Sequence, residues 1–368
     1  MVDPSLEAID WQRFLCRPPL QPLREVDAAA FRSRSILLTG AGGSIGTAIA
    51  SRLARLHPAR IILLEASESH FFALDRLIRT ECGPTEIAFY LGSVCDAALL
   101  DEIFSVHAPD LILHAAAFKQ VPLLEDQPLA AIFNNALGTE TLSQYAATNG
   151  SRIVLLSTDK AVDPVSIMGA TKRVAEQITL SHNGVALRLG NILGSRDSVA
   201  EVFAQQIRMG QRITVTDPTA RRYFLTLEEA ADLLLAASLE FDSPALLSPD
   251  LHAPHLIVDL ADFLARELAP NQEIPVQFTQ LRPGDKEAES FWASNETAES
   301  SSRPGLLRIT TRQASPILLH KVLTSLRSAV ENRDVFEAIA GLMALVPEYT
   351  PSQRVEAMAR ERRIQNSR

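Results

Sequence analysis

The chain has 368 residues, enough for one large α/β domain with an appended lobe or for two ordinary domains. Hydrophobic residues at 46% and charged residues at 21% are typical of a folded, water-soluble protein and exclude the disordered and fibrous classes. The formal net charge of −9 argues against a nucleic-acid-binding surface, which would need stripes of lysine and arginine.

No targeting or membrane-spanning segment is expected. The N-terminal stretch MVDPSLEAIDW lacks the basic head and apolar centre of a signal peptide, and no later run approaches the roughly 18 apolar residues of a membrane span. Cys16, Cys82 and Cys95 are odd in number and are not spaced as metal-binding pairs, so we interpret them as reduced thiols and predict no metal site. We therefore expect a cytoplasmic protein.

Short apolar runs alternate with helical patterns from Ser35 onward, which is the βαβ rhythm of a parallel sheet. We predict an α/β fold with a doubly wound sheet of seven such strands, and helices near 97–105, 126–149 and 166–182 between them. Six of these strands are predicted at SILLTG, RIILLE, EIAFYLG, DLILHAAA, RIVLLS and VALRLG.

The glycine-rich stretch TGAGGSIG, residues 39–46, follows the first apolar strand and opens a helix, as a dinucleotide-binding fingerprint of the Rossmann type requires. Gly40 permits a tight turn, Gly43 lets the backbone approach a pyrophosphate, and Gly46 allows close packing of helix on strand. Glu65 ends the next strand 19 residues after Gly46, where a carboxylate can bind the adenosine ribose. This pairing favours NAD over NADP; a glycine-rich turn without a cofactor is the alternative.

Further residues are expected to line the cofactor. His114, at the end of the strand in LILHAAAFK, is not predicted to be catalytic, because a lone histidine there usually satisfies local backbone groups. The alternatives to cofactor contact are that Lys119 is only a surface cation and that Asn135 only caps a helix. The remaining cofactor candidates are Ser44, Ile45, Ala115, Ala116, Lys119 and Asn135.

Four regions are expected along the chain. Residues 1–33 form an N-terminal extension, and residues 34–190 form the cofactor-binding domain, to which part of 225–250 returns. Residues 191–345 form mainly a smaller substrate-binding lobe, within which 295–305 is predicted to be an exposed polar loop. Residues 346–368 form a C-terminal tail.

The stretch STDKAVDPVSIMGATK, residues 157–172, has the layout of a short-chain dehydrogenase active site. Thr158 occupies the hydroxyl position and Lys172 the lysine position, from which it would reach the nicotinamide ribose. Met168 stands four residues before Lys172, on the same helical face, where a tyrosine is usual. A thioether cannot transfer a proton, so Asp159 and Lys160 must divide that chemistry between them. The alternative is a loop salt bridge followed by a core methionine.

These residues carry a family resemblance. STDKAVDPVSIMGATKR closely resembles the TDKA-(x)6-[YM]-G-A-[ST]-K-R signature of nucleotide-sugar 4,6-dehydratases of polysaccharide biosynthesis, in the extended short-chain dehydrogenase superfamily. Ordered matches continue through HAAAFKQVPLLE, RLGNILGSRDSV, LRPGDK and LVPEYTPS. One branch of the family has methionine in place of tyrosine and stays active. Membrane-anchored members begin with transmembrane helices, so this chain resembles a free-standing soluble form.

Three positions depart from the family pattern. Ser93 stands where an aspartate near the adenine is common, Gln120 replaces a histidine, and Asp197 replaces the glycine of GSRGSV. These changes could alter the preference for nucleotide or sugar.

The resemblance implies a redox-neutral dehydration with bound NAD. Lys160 would remove the C-5 proton, Asp159 would protonate the C-6 hydroxyl, and Thr158 would hydrogen-bond the C-4 oxygen. Met168 would contribute packing only. The 4-keto-6-deoxy product would form without net oxidation.

The resemblance also implies a substrate. Arg222 and Arg282 match positions that face the nucleotide diphosphate, and Asn191 offers an amide nearby. Lys119 is a weaker candidate for the wall of the sugar site. The alternative for the two arginines is that they are solvated surface residues. The best guess is a UDP-N-acetylhexosamine, with UDP-N-acetylglucosamine first, bound by a homo-oligomer. A nucleotide-sugar 4-epimerase or 4-reductase, and a non-catalytic nucleotide-sugar-binding protein, remain alternatives.

Overall fold

The computed structural model describes Leu6 and residues 8–240 and 244–366, with the side chains of 362–366 excepted. Within these residues a mixed sheet has nine strands in the order β14-β15-β11-β6-β5-β4-β1-β2-β3, and the remaining strands form three two-stranded pairs. In chain order the strands are β1 Ser35–Thr39, β2 Arg60–Glu65, β3 Glu86–Leu91, β4 Leu111–His114, β5 Arg152–Thr158, β6 Val185–Leu189, β7 Asn191–Ile192, β8 Ile213–Val215, β9 Arg221–Arg222, β10 Phe224–Leu225, β11 Ala245–Pro249, β12 His255–Leu256, β13 Val276–Phe278, β14 Thr297–Ser300 and β15 Leu306–Thr310.

Seven of the main-sheet strands run parallel, from β3 through β2, β1, β4, β5 and β6 to β11. The predicted α/β class and doubly wound sheet are therefore confirmed. The central strands β1, β2 and β4 are almost entirely buried, because helices cover both faces of a parallel sheet, and this explains why they read as continuous apolar runs.

One prediction about the polar stretch 295–305 is wrong. Thr297–Ser300 forms β14, which pairs antiparallel with β15, and β15 in turn pairs antiparallel with β11. Because β14 is the edge strand of the sheet, three of its four side chains are exposed, and its sequence is as polar as that of a loop.

Helices cover the two sheet faces and the lobe beside them. The α-helices of the described residues are α1 Trp11–Leu15, α2 Ser44–Leu56, α3 Glu68–Glu81, α4 Ala97–His107, α5 Val121–Asp126, α6 Pro128–Ala131, α7 Gly138–Asn149, α8 Ile167–Ser181, α9 Val199–Arg208, α10 Leu227–Ser238, α11 Ile257–Leu268, α12 Pro316–Glu331, α13 Val335–Leu345 and α14 Gln353–Asn366. Glu25–Ala30 and Asp159–Ala161 form short 3-10 helices. A π-helical turn, Ile132–Leu137, joins α6 to α7. No helix in this part of the chain is long and apolar enough to cross a membrane.

The apolar core has separate parts on the two sides of the sheet. On one face Ile49 and Leu53 of α2 pack with Leu234 of α10, whereas on the other face Phe104 of α4 packs with Leu142 of α7. A third cluster lies outside the main sheet and joins Phe14 of α1 to Phe224, with ring centroids 5.6 Å apart. The N-terminal segment around α1 is thereby packed onto the lobe that follows β6.

The strand order fixes where a ligand can bind. The chain begins in the middle of the sheet at β1, builds β2 and β3 on one side, and then continues with β4 on the other side. Loops leaving the carboxyl ends of β1 and β4 therefore diverge and open a crevice. Thr39, His114 and Thr158 are the last residues of β1, β4 and β5 and lie at this edge.

Candidate functional site

The turn after β1 is so tightly packed that it requires glycine. Gly40 has φ +65°, and a Cβ there would lie 2.7 Å from the backbone N and Cα of Ala116. A Cβ on Gly46 would lie 2.1 Å from the carbonyl oxygen of Gly40. The turn, the start of α2 and the Ala115–Ala116 backbone are thus in direct contact, as the sequence predicts for a dinucleotide fingerprint.

The N-terminus of α2 faces this crevice without a capping side chain. The helix begins at Ser44 and its N-cap residue is Gly43. Since the first backbone N–H groups of a helix have no partner within the helix, those of Ser44 and Ile45 can bind an anion. The arrangement fits the pyrophosphate of a dinucleotide.

Glu65 is fixed at the end of β2 beside the same turn. One carboxylate oxygen accepts a 2.8 Å hydrogen bond from the backbone N–H of Gly42, and the other accepts one of 2.8 Å from that of Ser67. The residue is 7% exposed. Each oxygen retains a second lone pair, so the carboxylate can still accept hydrogen bonds from a ribose at the crevice.

His114 satisfies neighbouring hydroxyl groups and is held neutral. The Thr139 hydroxyl donates to the carbonyl oxygen of Asn135 at 2.7 Å. Because that proton is already engaged, His114 Nε2 must be the donor in its 3.0 Å hydrogen bond with Thr139 Oγ1. Nδ1 then accepts from Thr39 Oγ1 at 2.8 Å. Burial, together with the charge of Lys172, lowers the pKa of His114 to about 3. These contacts support the prediction that this histidine is not catalytic.

Asn135 and Lys119 hold the segment that follows β4. The amide of Asn135 accepts from the N–H of Phe118 at 2.8 Å and donates to the carbonyl of Phe118 at 3.0 Å and to Thr171 at 3.2 Å. Lys119 Nζ donates to the carbonyl oxygen of Arg196 at 2.6 Å. Burial lowers the pKa of Lys119. Asn135 is buried and Lys119 is exposed, and contact of either residue with a cofactor or sugar stays a prediction.

The predicted acid and base lie together directly after β5. Thr158 Oγ1 and Lys160 Nζ each donate to Asp159 Oδ1 at 2.9 Å, and Lys160 Nζ also donates to Asn191 Oδ1 at 2.9 Å. Asp159 is fully buried, and its Oδ2 has no hydrogen-bond partner among the described residues. The Lys160 side chain keeps 21% of its surface exposed. The structure therefore brings four predicted site residues into one hydrogen-bonded cluster.

Helix α8 positions Met168 and Lys172 against this cluster. Ser166 caps the helix by accepting from the N–H of Gly169 at 3.1 Å, and a Cβ on Gly169 would lie 2.2 Å from the carbonyl oxygen of Lys160. Met168 is 5% exposed within an apolar cluster that includes Ile167. Lys172 is buried, and burial lowers its pKa to about 8 while Glu176 opposes the shift. Met168 thus has the environment of a core residue.

A buried ionic network fixes α8 to the sheet from behind. Arg188 of β6 is fully buried and donates to both oxygens of Glu176, at 2.9 Å each, and to Glu296 at 2.7 Å. Glu176 also accepts from Ser157, at 2.6 Å. Burial acts to raise the pKa of Glu176, but the charge of Arg188 and these hydrogen bonds outweigh it and lower the pKa. The network keeps β5 and α8, which carry the site, in register.

Sequence reasoning did not identify Lys286 and Glu289, which lie beside the predicted acid and base. Lys286 Nζ donates to the carbonyl of Val162 at 2.5 Å and lies 3.2 Å from Glu289 Oε2. The pKa of Glu289 is raised by burial and by the charge of Asp159, against the opposing charge of Lys160. The only signal in the sequence is the position of Glu289 three residues after the lysine of LRPGDK.

The two predicted substrate arginines have different surroundings. Arg222 is 8% exposed, and its guanidinium donates to the carbonyls of Lys286, Glu287 and Arg221 at 2.6, 3.0 and 2.7 Å. Arg282 is exposed and donates to Asp285 at 2.8 Å. Arg222 therefore braces the segment that carries Lys286 and Glu289, whereas Arg282 is accessible to a ligand. No group of three or more histidine, cysteine or acidic residues in the described ranges is arranged to hold a metal ion.

Comparison with known proteins matches residues 36–311 to the family model described as polysaccharide biosynthesis protein. The capsular polysaccharide biosynthesis protein CapD of Staphylococcus aureus is 37% identical over 302 residues, which cover 79% of this chain and 50% of that protein. The UDP-glucose 4-epimerase of Rickettsia rickettsii is 30% identical over 295 residues, covering 76% of this chain and 83% of the relative. The chain thus spans half the length of the Staphylococcus relative.

Solved structures share the fold. Pen from Bacillus thuringiensis superimposes with a TM-score of 0.69 at 25% identity, over 77% of this chain and 89% of that structure. The UDP-glucose 4-epimerase of Thermus thermophilus in complex with NAD gives a TM-score of 0.58 at 21% identity, over 69% of this chain and 89% of the other. Both agree with the α/β fold and its large parallel sheet.

Proposed function

The chain belongs to the polysaccharide biosynthesis protein family, and from that premise we propose that it is an NAD-dependent nucleotide-sugar 4,6-dehydratase. The substrate would be a UDP-N-acetylhexosamine, with UDP-N-acetylglucosamine the first to test. The observation that carries the proposal is the Asp159–Lys160 pair at the end of β5, in which Asp159 Oδ2 is buried and has no partner among the described residues.

The cofactor assignment is supported by the turn after β1. Only glycine fits at Gly40 and Gly46, the start of α2 is open to a pyrophosphate, and Glu65 lies beside the turn as a ribose ligand. Lys172 would bind the nicotinamide ribose from α8. When bound, NAD accepts hydride from C-4 of the sugar and returns it to C-6.

Thr158 and Asp159 provide a path for the proton of the C-4 hydroxyl. Thr158 Oγ1 already donates to Asp159 Oδ1 at 2.9 Å. If the sugar hydroxyl donates to Thr158, the threonine can pass its own proton to Asp159 as the C–H bond at C-4 breaks. Asp159 is then protonated and can act as the acid. A tyrosine at position 168 is therefore not needed for this proton transfer.

Lys160 and Asp159 complete the elimination. Neutral Lys160 removes the C-5 proton, which the neighbouring ketone has made acidic, and protonated Asp159 donates to the C-6 oxygen as that C–O bond breaks. Lys160 later returns a proton to C-5. Asp159 has gained one proton from C-4 and lost one to water, and Lys160 has gained and lost one, so both residues end in their starting states.

The remaining polar groups would orient the substrate. Arg282 is accessible to a diphosphate, for which the planar guanidinium is suited. Asn191 accepts a 2.9 Å hydrogen bond from Lys160 and would therefore lie close to the sugar. Arg222 would act through the segment that it braces, and Lys119 would border the crevice beneath Arg196.

A nucleotide-sugar 4-epimerase is the second candidate, because the Rickettsia relative matches over most of its length under that name. An epimerase removes and restores hydrogen at C-4 only. It has no use for an acid that expels the C-6 hydroxyl, so the Asp159–Lys160 pair favours dehydration. A 4-reductase would need exchange of the cofactor in every cycle.

Mass spectrometry of the reaction separates these candidates. Purified protein with NAD and UDP-N-acetylglucosamine should give a product lighter by one water. A product of unchanged mass with an altered retention time would support epimerisation instead, and an unchanged substrate would support a binding protein. The cytoplasmic location and the homo-oligomeric state stay predictions, to be checked by cell fractionation and light scattering.

A further inference from the structure

Arg196 lies across the glycine-rich turn, far from it in sequence. Its backbone N–H donates to Ser44 Oγ at 3.0 Å, and its guanidinium donates to the carbonyl oxygen of Gly42 through NH2. These partners are 152 and 154 positions away in the chain. Residues 194–198, which we call the strap, thereby contact the segment at which the dinucleotide pyrophosphate would bind.

The strap is also held from its other side. Lys119, in the segment after β4, donates to the carbonyl oxygen of Arg196 at 2.6 Å. Asp197 has φ +55° and its N–H donates to the carboxylate of Glu201, at the start of α9. A left-handed conformation is unfavourable for a residue with a Cβ, so surrounding contacts must maintain it. The backbone at Arg196 is thus fixed between the turn, the segment after β4 and α9.

The guanidinium of Arg196 has donors to spare. NH2 bonds to Gly42 and Nε lies 3.5 Å from Ser44 Oγ, whereas NH1 has no hydrogen-bond partner among the described residues. The group is partly exposed beside the uncapped N-terminus of α2. A cation and a helix N-terminus that face one crevice both favour a bound anion, and guanidinium donors match phosphate oxygens.

We propose that Arg196 binds the diphosphate of the dinucleotide and that the strap retains the cofactor between turnovers. This inference depends on the proposed function, because a redox-neutral cycle returns the cofactor to its starting state. Release of the cofactor then serves no purpose, and a strap that closes over its phosphates does not slow the reaction.

The test is the binding and release of NAD by the purified protein, measured without turnover. Arg196→Ala should weaken NAD binding roughly ten- to a hundredfold, which is the range for loss of a charge-assisted hydrogen bond, and should speed dissociation of NAD by a similar factor. Arg196→Lys keeps the charge and should fall between Arg196→Ala and the wild type. Adenosine, which has no diphosphate, should bind the wild type and Arg196→Ala equally.

Arg212→Ala is the control, because Arg212 is an exposed arginine on the loop between α9 and β8. Equal NAD affinity and equal dissociation rates in Arg196→Ala and Arg212→Ala would overturn the proposal for Arg196. Failure of the wild type to bind NAD would instead remove the cofactor from the proposed function. A melting temperature for each variant shows whether it is folded, and Arg196→Lys keeps the test decisive if Arg196→Ala does not fold.

Discussion

Lys160 donates to the same oxygen of Asp159 that accepts from Thr158, so one carboxylate oxygen serves two donors and the other serves none in the described chain. An unpaired carboxylate oxygen in a fully buried residue is costly unless a ligand meets it. The asymmetry therefore marks Oδ2 as the oxygen that is left for a ligand to meet, whereas Oδ1 is held by Thr158 and Lys160.

Cofactor choice should depend on the charge of Glu65. Glu65→Gln keeps an oxygen for the Gly42 N–H but removes the negative charge that repels a 2'-phosphate. We expect the ratio of NADP affinity to NAD affinity to rise by about tenfold, which corresponds to about 1.4 kcal/mol. Calorimetric titration with both dinucleotides measures this ratio. Glu68→Gln, at an exposed acidic residue three positions on, should leave it unchanged.

His114 should make the protein sensitive to mild acid. Folded His114, with a pKa near 3, stays neutral where an unfolded histidine binds a proton below about pH 6.5. Since the unfolded state binds more protons in this window, stability is present above pH 6.5 and is lost as the pH falls, at about 1.4 kcal/mol per unit for this residue.

Denaturant unfolding at a series of pH values tests that prediction. His114→Gln cannot titrate, so its free energy of unfolding should fall less steeply between pH 6.5 and pH 5 than that of the wild type. The comparison uses slopes, because the variant also loses bonds to Thr39 and Thr139. Parallel slopes would show that His114 is protonated equally in both states.

Much of the sheet, and the place of Asp159 and Lys160 directly after β5, could be predicted from the sequence because each depends on local pattern. Strands such as β1 and β4 are continuous apolar runs, and Asp159 and Lys160 follow β5 directly. Arg196 and Glu289 could not be predicted, since packing brings each to partners far away in the chain. The edge strand β14 could not be recognised from the sequence. Its side chains are mostly exposed and therefore polar, and its backbone pairing leaves no pattern in the residue types.

Arg222 and Arg282, the two predicted substrate arginines, should respond differently to truncation. Arg282→Ala should raise KM for the nucleotide sugar about tenfold with little change in melting temperature, because the side chain is exposed. Arg222→Ala frees three backbone carbonyls and should raise KM and also lower the melting temperature. Arg221→Ala, an exposed neighbour on β9, should change neither quantity. A normal KM in Arg282→Ala would exclude that residue from the diphosphate site.

The final prediction concerns the methionine that replaces the usual tyrosine. Met168 is buried in an apolar cluster, so Met168→Leu, which keeps volume and apolar character, should retain most activity. Asp159→Asn and Lys160→Met should each lower kcat by on the order of a hundredfold or more, the usual scale for a positioned acid or base. NAD should stay bound in both variants, because its proposed ligands are untouched.

Deuterium exchange at C-5 separates the two roles. Lys160→Met should block the entry of solvent deuterium into recovered sugar, since no base removes the C-5 proton. Asp159→Asn should still allow exchange if oxidation at C-4 occurs at all, while failing to release water. Since the proposed path carries the C-4 proton through Thr158 to Asp159, loss of exchange in Asp159→Asn would mean that this carboxylate is already needed for the oxidation at C-4. Full turnover in both variants, together with an inactive Met168→Leu, would mean that the proton chemistry belongs to other residues.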